Sequence, residues 1–420
     1  MLYERWREIA HGMPGDIALR DLTSPRQWTF RELEMESEKA GPNRDSFAFP
    51  SGVSAEFIFG VLRAWRAGQI VCALETDQPI PEIKPDLPPG IVHLKMTSGT
   101  TAAPRFVAFT AVQLMADAEN IVATMGLRAD WPNLGVISLA HSYGFSNLVL
   151  PLLLHGIPLV LAGAPLPEIV LRAAATERSV TLAAVPALWR TWHEANAIPR
   201  NVRLAISAGA PLPISLEQSV FATSGLKIHN FYGSSECGGI AYDASAAARL
   251  DGSCAGAPMR NVNLGVADDG CLEVRSQAVA QTYWPESGPR LGDGVFRTND
   301  LAEVSYGLVY FRGRAGDQIN VAGRKVSPES IEKVLLGHPG VRECVVFGVP
   351  SSEATRGETI VACVAASTSV AGDTLKQFLL SHLPAWQVPR EWWLVESLFA
   401  SQRGKLSRAE WRKRYLERAG

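Results

Sequence analysis

The chain has 420 residues and a net charge of −2, with 47% apolar and 20% charged side chains. This composition is ordinary for a soluble globular protein, and the length allows two or three domains. Because the net charge is close to zero, we expect no nucleic-acid or anionic-membrane partner held by bulk electrostatics. The six cysteines include no Cys-x-x-Cys pair, which argues against a structural zinc site or a disulfide framework and favours a reducing, cytoplasmic compartment.

Neither a secretory signal nor a membrane span is expected. The N-terminus is charged and lacks the apolar run of a signal peptide. Residues 131–167 contain no Asp, Glu, Lys or Arg, but their prolines and histidines favour buried strands and loops over a spanning helix.

The first elements follow from apolar periodicity and from helix-ending glycines. A helix is predicted over 56–67, with Gly68 as its stop, then a strand at 70–74 and a proline-rich linker over 80–90. A strand over 92–96 and a helix over 111–125 flank a polar loop.

Strands and helices then alternate, which favours a buried, largely parallel sheet. Strands are predicted at 135–139, 157–161, 182–185 and 202–206, helices at 167–176, 186–195 and 214–223, and either type at 148–154. After about residue 250, alternating runs such as 270–276 and 304–312 indicate antiparallel hairpins. A helix over 328–336, strands over 341–349 and 359–365 and a helix over 374–382 indicate a small α+β domain.

The most informative segment is the polar loop 97–105, Thr-Ser-Gly-Thr-Thr-Ala-Ala-Pro-Arg. Gly99 lets the backbone approach an anion closely, because it has no Cβ. Successive backbone N–H groups and hydroxyls can donate to phosphate oxygens, and Arg105 adds a charge-assisted contact. The loop therefore predicts polyphosphate binding through residues that include Thr97, Ser98, Gly99, Thr100, Thr101 and Arg105.

Further segments accompany this loop along nearly the whole chain. They are Ala-His-Ser-Tyr-Gly at 140–144, Ser-Ala-Gly-Ala-Pro-Leu at 207–212, Asn-Phe-Tyr-Gly-Ser-Ser-Glu at 230–236, Thr-Asn-Asp at 298–300, Gly-Arg at 313–314 and Gly-Lys at 404–405. Together, in this order, they resemble the adenylate-forming superfamily: acyl-CoA synthetases, firefly luciferase and the adenylation domains of nonribosomal peptide synthetases. Ala102 and Arg105 depart from the family's loop, which usually has glycine and lysine there.

The resemblance implies roles for individual residues. His141 would flank the reacting carboxylate, Tyr232 would stack on adenine, and Ser235 would contact the α-phosphate. Glu236 would hold Mg²⁺, a hard cation that prefers oxygen ligands. The nucleotide would also contact a set of small residues in two of the motifs: Gly209, Ala210, Pro211, Gly233 and Ser234.

The C-terminal motifs imply a mobile domain. Asp300 and Arg314 would bind the ribose, and Lys405 would bridge the carboxylate and the α-phosphate. The family's hinge position is Gly316 here, and Gly323 would line the tunnel for the thiol. The implied α/β fold has a large N-terminal domain of parallel-rich sheets with a small β-barrel-like subdomain at 1–313, and a small α+β domain at 314–420. The segment before the phosphate loop is shorter than is usual in the family, so the N-terminal subdomain is expected to be trimmed.

The implied activity is ATP-dependent activation of a carboxylic acid to an acyl-adenylate, followed by transfer to a phosphopantetheine thiol. CoA and an acyl carrier protein acting in trans both stay open as acceptors. A nucleotide-binding protein without turnover is a third alternative, motivated by Ala102, Asn299 and Gly316.

In the family, amino-acid-activating members place an Asp near the position of His141 to bind the α-amino group. No acid lies between Asp130 and Glu168 here, so the resemblance implies a substrate without an α-amino group: a fatty, aryl or other simple carboxylic acid. The His141 segment is most similar to fatty-acyl ligases, including acyl-carrier-protein ligases, which implies a role in fatty acid metabolism.

Overall fold

The computed structural model describes residues 1–24, 26–39, 45–84, 86–97, 105–351, 353, 357–366, 370–398 and 407–419. The chain divides into two compact units. The first holds Met1–Gly265, Glu273–Arg297 and Val304–Val309, and the second holds Val266–Leu272, Thr298–Glu303 and Tyr310–Gly420. No helix within the described ranges is long and apolar enough to cross a membrane.

The first unit opens with helices packed on short strands. Helix α2 begins at Thr29, which forms a capping box with Glu32, and α3 ends at Gly68 in the left-handed conformation. The elements up to the phosphate loop are α1 (Leu2–Gly12), β1 (Ile17–Asp21), β2 (Arg26–Thr29), α2 (Phe30–Glu38), β3 (Phe47–Ala48), α3 (Ala55–Ala67), β4 (Ile70–Cys72) and β5 (Ile91–Thr97).

After the loop the chain alternates between strands and helices. The elements are β6 (Arg105–Thr110), α4 (Ala111–Met125), β7 (Asn133–Gly135), α5 (Ser142–Gly144), a π-helical turn (Phe145–Val149), α6 (Leu150–His155), β8 (Leu159–Leu161), α7 (Pro167–Ala174), β9 (Val180–Ala184), α8 (Pro186–Glu194), β10 (Val202–Ser207), α9 (Ile214–Ser224), β11 (Ile228–Ser234) and β12 (Gly238–Tyr242).

Two sheets organise this unit. In the main sheet the strand order is β13 (Cys254–Pro258), β12, β11, β10, β9, β7, β8, β1 and β2, and the pairs from β11 to β1 are parallel. The alternation of strands and helices along the sequence therefore predicted the parallel sheet correctly. Its carboxyl ends gather at one edge, where loops of such sheets usually carry the binding residues. The second sheet has the order β16 (Thr282–Trp284), β6, β5, β4 and β3, so Tyr283 lies beside the strand that follows the phosphate loop.

The core of the main sheet forms because its strands are buried on both faces. Val180–Ala184 is buried throughout, and Trp189 and Trp192 of α8 pack edge-to-face with ring centroids 5.4 Å apart. Five further strands belong to the same 14-stranded sheet, with β17 paired to β18: β14 (Asn263–Val266), β15 (Cys271–Arg275), β17 (Leu291–Gly292), β18 (Val295–Ser305) and β19 (Leu308–Arg314).

The second unit contains a three-stranded sheet covered on both faces. Its elements are β20 (Ile319–Val321), β21 (Arg324–Val326), α10 (Pro328–Leu335), β22 (Val341–Pro350), β23 (Glu358–Ala366), α11 (Gly372–Leu380), a 3₁₀ turn (Ala385–Gln387), β24 (Glu391–Val395) and α12 (Arg408–Ala419). The strand order is β22, β23, β24, with an antiparallel and then a parallel pair. Alternate residues face opposite sides: Val346 packs with α10 and α11, and Phe347 packs with Trp411 of α12.

Most predicted elements between residues 55 and 382 are present, with three instructive differences. The strand predicted at 135–139 lies at Asn133–Gly135, because the polar residues before it enter the sheet and the following apolar residues form a loop. The ambiguous segment 148–154 is helical. The basic C-terminal segment, for which the sequence predicted no element, forms α12 and buries Trp411.

Candidate functional site

The phosphate-loop motif is held at both of its ends by the second sheet. Thr97 pairs with Arg105 across β5 and β6, and the Thr97 hydroxyl donates to the Arg105 carbonyl at 3.0 Å. An antiparallel pair at the base fixes where the loop starts and returns. The predicted phosphate ligands Ser98, Gly99, Thr100 and Thr101, and the departure at Ala102, lie outside the described residues.

The motif at 230–236 forms the antiparallel hairpin β11–β12, with Glu236 in its turn. Tyr232 pairs with Ala241, Gly233 with Gly239 and Ser234 with Gly238. The Ser234 hydroxyl accepts from the Glu236 backbone N–H at 3.2 Å, and the Glu236 carbonyl accepts from the Ala280 N–H at 2.8 Å. The turn is therefore fixed on both sides of Glu236.

A close approach explains the glycine that follows this turn. Gly238 has φ +66°, and a Cβ added there would lie 1.8 Å from Oδ1 of Asp117. The Asp117 carboxylate accepts from the Gly239 N–H at 3.1 Å. A side chain at position 238 would exclude the carboxylate that holds the hairpin, so glycine is required there.

The His141 segment meets the Glu236 turn through two serines. The Ser142 hydroxyl donates to the Ser235 hydroxyl at 2.9 Å. The His141 N–H donates to the Ser138 hydroxyl at 3.3 Å, and that hydroxyl donates to Glu75 at 2.7 Å. The structure thus brings the predicted α-phosphate ligand and the predicted acyl-pocket segment together. Through Ser138 the structure also connects His141 to Glu75. This acid lies outside residues 130–168, the range whose lack of acids led to the expected substrate class.

The segment at 207–212 closes the carboxyl edge of the main sheet. Gly209 and Pro211 are exposed and Ala210 is half-buried, so this turn is open to a ligand. The phenol of Tyr143 donates to the carbonyl of Ile206 at 3.3 Å, and burial raises the pKa of Tyr143. This contact ties the His141 segment to the strand that leads into the turn.

A buried charged cluster supports the same turn from behind. The guanidinium of Arg249 donates to the carbonyl of Leu212 at 3.1 Å and to the Glu217 carboxylate at 2.8 Å. Lys227 pairs with Glu217 and, at 2.6 Å, with Asp243. Two cations and two carboxylates balance one another here, which makes the burial of these charges tolerable.

Sequence reasoning missed a second buried network, which joins three of the motifs. The ammonium of Lys95 on β5 donates to the Ser146 hydroxyl at 3.3 Å, and Ser146 donates to Asp117 at 2.6 Å. Burial lowers the pKa of Lys95, while the Asp117 and Glu236 carboxylates nearby oppose that shift. Lys95 precedes the phosphate loop, Ser146 follows His141, and Asp117 accepts from Gly239, so this hydrogen-bonded chain connects all three segments.

Glu236 and Arg105 share a further neighbour that the sequence did not reveal. The Tyr283 phenol donates to the Glu236 carboxylate at 3.0 Å, and the Arg105 guanidinium lies 3.7 Å from the centre of the Tyr283 ring. The Glu236 carboxylate offers only oxygen, which suits Mg²⁺ shared with substrate phosphates. No cluster of three or more His, Cys, Asp or Glu side chains suited to a metal occurs among the described residues.

The second unit contains the remaining predicted residues. Arg314 Nε lies 2.9 Å from Asp300 Oδ1, so the two predicted ribose ligands form an ion pair. Gly323 lies in the turn between β20 and β21, and its N–H donates to Asn320 at 3.0 Å. Gly316 follows β19, whereas Lys405 lies outside the described residues.

Arg408, three residues after Lys405, is the centre of a charged cluster in this unit. Its guanidinium donates to both oxygens of Glu332 at 3.0 Å and lies 3.0 Å from Glu329. It also pairs with Asp317 and donates to the carbonyl of Val346 at 2.8 Å. The cluster ties the start of α12 to the residue that follows Gly316.

Comparisons with known proteins found matching family models, relatives and solved structures. A family model described as AMP-binding enzyme matches residues 75–284, half of the chain, and one described as AMP-binding enzyme C-terminal domain matches residues 330–405. A feruloyl-CoA synthase of an Amycolatopsis species is 29% identical over 357 residues, which are 79% of this chain and 72% of that protein.

Two further proteins extend the comparison. The fatty acid–[acyl-carrier-protein] ligase ScoC of Streptomyces coeruleorubidus is 29% identical over 386 residues, covering 84% of this chain and 71% of that protein. The crystal structure of ATP-bound MatB from Rhodopseudomonas palustris superposes with a TM-score of 0.87 over 99% of each chain at 18% identity. That likeness establishes the fold: a large N-terminal sheet domain and a smaller C-terminal domain.

Proposed function

We propose that this chain, which belongs to the AMP-binding enzyme family, is an acid–thiol ligase. It activates a carboxylic acid with ATP and then transfers the acyl group to a thiol. The feruloyl-CoA synthase and the acyl-carrier-protein ligase among its relatives support this reaction class. The finer assignments of residues, metal and acceptor below are proposals of the same kind.

The observation that carries the proposal is the hydrogen bond between Ser142 and Ser235. At 2.9 Å it joins the segment assigned to the acid with the turn assigned to the nucleotide. Activation requires the carboxylate and the α-phosphate to lie side by side, and holding two reactants in such a geometry supplies much of a rate enhancement.

In the first half-reaction a carboxylate oxygen of the acid attacks the α-phosphorus of ATP. An O–P bond forms, the bond from the α-phosphorus to the bridging oxygen breaks, and pyrophosphate leaves. Ser235 donates to the α-phosphate, the loop 97–105 and Arg105 bind the departing phosphates, and Lys405 bridges acid and α-phosphate. Glu236 would hold Mg²⁺, which supplies charge neutralisation at the phosphates when bound.

In the second half-reaction a thiolate attacks the acyl carbonyl. A C–S bond forms, the C–O bond to the adenylate breaks, and AMP leaves. We assign Tyr232 and the segment Gly209–Pro211 to adenine, Asp300 and Arg314 to the ribose, and Gly323 to the thiol path. A rotation of the C-terminal domain (314–420) about Gly316 would switch the enzyme from the arrangement for the first half-reaction to that for the second, as in other hinge-gated enzymes.

For the acceptor we place CoA first and an acyl carrier protein second. A feruloyl-CoA synthase and an acyl-carrier-protein ligase are equally identical to this chain, at 29%. Supplying preformed acyl-adenylate with CoA or with a phosphopantetheinylated carrier, and following AMP release, separates the two. All six cysteines are free thiols and five of them are buried, which fits the proposed reducing, cytoplasmic compartment.

For the acid we propose a fatty or aryl carboxylate. Glu75, linked through Ser138 to His141, adds a carboxylate near this segment, so amino acids belong in the panel as a direct test. The experiment is pyrophosphate release from ATP and Mg²⁺ across fatty, aryl and amino acids, with Lys405→Ala as the comparison. Release with one acid class that is lost in Lys405→Ala supports the proposal. ATP binding without release from any acid would instead favour a nucleotide-binding protein without turnover.

A further inference from the structure

Tyr283 stands between two residues of the proposed site, and nothing in the motifs predicts it. Its phenol donates to Oε1 of Glu236 at 3.0 Å, and its ring centre lies 3.7 Å from Cζ of Arg105. One side chain therefore contacts both the carboxylate assigned to the metal and the cation assigned to the phosphates.

Strand pairing explains why this contact forms. Tyr283 on β16 lies opposite Val107 on β6, and Arg105 is two residues before Val107 on the same face. Diagonal neighbours across an antiparallel pair are within reach of an aromatic ring and a long side chain. A Cβ added to Gly288 would lie 3.2 Å from Nη2 of Arg105 and 3.5 Å from Cδ2 of Tyr283, so Gly288 lies beside the point where the guanidinium meets the ring.

The segment 280–283 makes two hydrogen bonds to Glu236. Ala280 donates its N–H to the Glu236 carbonyl at 2.8 Å, and Tyr283 donates to the carboxylate. Backbone and side chain of Glu236 are thereby fixed relative to β6, which begins at Arg105. A phenol bound to Oε1 leaves Oε2 of the carboxylate to accept a further ligand.

The protonation of Tyr283 suits this role. A phenol has an ordinary pKa of about 10, so it keeps its proton at neutral pH and can donate to the Glu236 carboxylate. A hydrogen bond to an ionised carboxylate is also stronger than one between neutral groups.

We propose that Tyr283 is a positioning residue that aligns Glu236 with Arg105, so that the metal ligand and the phosphate-binding cation are set by one side chain. The inference rests on the proposed function, and it makes two separable statements. The phenol fixes the position of the Glu236 carboxylate, and hence the Mg²⁺ concentration that the reaction needs. The ring fixes the position of the Arg105 guanidinium, and hence the apparent affinity for ATP.

The test uses three variants of the full chain: Tyr283→Phe, Tyr283→Leu and Arg105→Lys. The readouts are the Mg²⁺ concentration for half-maximal pyrophosphate release, KM for ATP at saturating Mg²⁺, and the thermal shift caused by Mg²⁺ and ATP. Tyr283→Phe should raise the half-saturating Mg²⁺ about tenfold, because a hydrogen bond to a charged group is lost. Arg105→Lys should raise KM for ATP about threefold, the value of an exposed cation–π contact, with Mg²⁺ dependence unchanged. Tyr283→Leu should do both.

Tyr3→Phe is the matched control, because the Tyr3 phenol also makes a side-chain hydrogen bond, with Oγ of Ser37 at 3.1 Å. It should leave both parameters unchanged. Tyr283→Phe in a Glu236→Gln background should cause much less than the tenfold change, because the ionised acceptor is already gone.

A Tyr283→Phe chain with lowered Tm but unaltered Mg²⁺ dependence would overturn the inference and make the residue merely structural. Should Tyr283→Phe fail to fold, an Arg105→Lys variant that matches wild type in KM for ATP would overturn the ring's part. If wild type releases no pyrophosphate with any acid, the proposed function fails. The thermal shift by Mg²⁺ and ATP then still tests Tyr283.

Discussion

At the scale of single residues, the groups that depend on local sequence pattern were predictable and those that depend on tertiary contact were not. Glu236, Ser235 and His141 stand in recognisable motifs. Lys95 and Tyr283 stand in strands that contain none of the recognised motifs. Only the fold brings Tyr283 to Glu236 and Arg105, and Lys95 to Ser146.

His93 gives the clearest pH prediction at this scale. Its ring is buried and stacks on Phe145 with centroids 4.3 Å apart, and its Nδ1 has no hydrogen-bond partner among the described groups. Burial, with a smaller effect of the Lys95 charge, holds the pKa of His93 well below its ordinary range. The unfolded chain therefore takes up a proton below about pH 6.5 that the folded chain does not, and stability falls by up to about 1.4 kcal/mol per pH unit there.

The variant His93→Phe should remove this contribution to the loss of unfolding free energy at low pH, because phenylalanine keeps an aromatic ring but has no titratable group. Urea unfolding followed at pH 7.5, 6.5 and 5.5 measures it. His382→Phe, at an exposed position, should keep the wild-type pH dependence. Equal slopes for wild type and His93→Phe between pH 6.5 and 5.5 would contradict the assignment.

At the scale of elements, length and caps decided what could be predicted. Helix α4 was predicted at its observed bounds, because Thr110 caps it and Gly126 ends it. The strand β7 has only three residues, too few for a period, and was misplaced. Helix α12 was not predicted, because its sequence is mostly charged and contains a single buried tryptophan, Trp411. The sheet face on which Trp411 packs is formed by residues distant in sequence, such as Phe347.

The start of α12 gives a prediction about its anchoring. Replacing Arg408 by Met leaves Glu332, Glu329 and Asp317 without their shared cation, so we expect a loss of about 3 kcal/mol or more of unfolding free energy. Burial raises the pKa of Glu332, so the loss should shrink as the pH falls toward 5 and this carboxyl takes up a proton. Chemical denaturation at pH 7.5 and 5 measures both.

A neighbouring pair on the same helix is the control. Arg414 and Glu410 form an exposed pair one turn apart, and Arg414→Met should cost less than about 0.5 kcal/mol. A cost for Arg408→Met as small as that for Arg414→Met would mean that the cluster does not anchor the helix.

At the scale of the whole molecule, motif order along the chain was sufficient for the fold class and the family. The two compact units interleave in sequence, with short segments near 266–272 and 298–303 assigned to the second, a detail that no linear boundary at 313 could express. The proposed boundary at 313/314 and the hinge at Gly316 stay predictions.

The hinge proposal makes a kinetic prediction. A Cβ at Gly316 would meet nothing within 4 Å, so Gly316→Ala should fold and turn over like wild type. Gly316→Pro fixes φ and should change the ratio of the two half-reaction rates by about tenfold or more, because one arrangement of the domains is favoured. Pyrophosphate release and AMP release from supplied acyl-adenylate give the ratio. Equal changes in both rates would contradict a hinge at this position.

The central claim is that the acid's own oxygen attacks the α-phosphorus. The most direct measurement is transfer of label from an acid with both carboxylate oxygens replaced by ¹⁸O, read by mass spectrometry of the AMP formed with ATP and the thiol. Each AMP should carry one ¹⁸O, because the attacking oxygen stays with phosphorus when the C–O bond of the acyl-adenylate breaks. Unlabelled AMP, or ADP in its place, would contradict it.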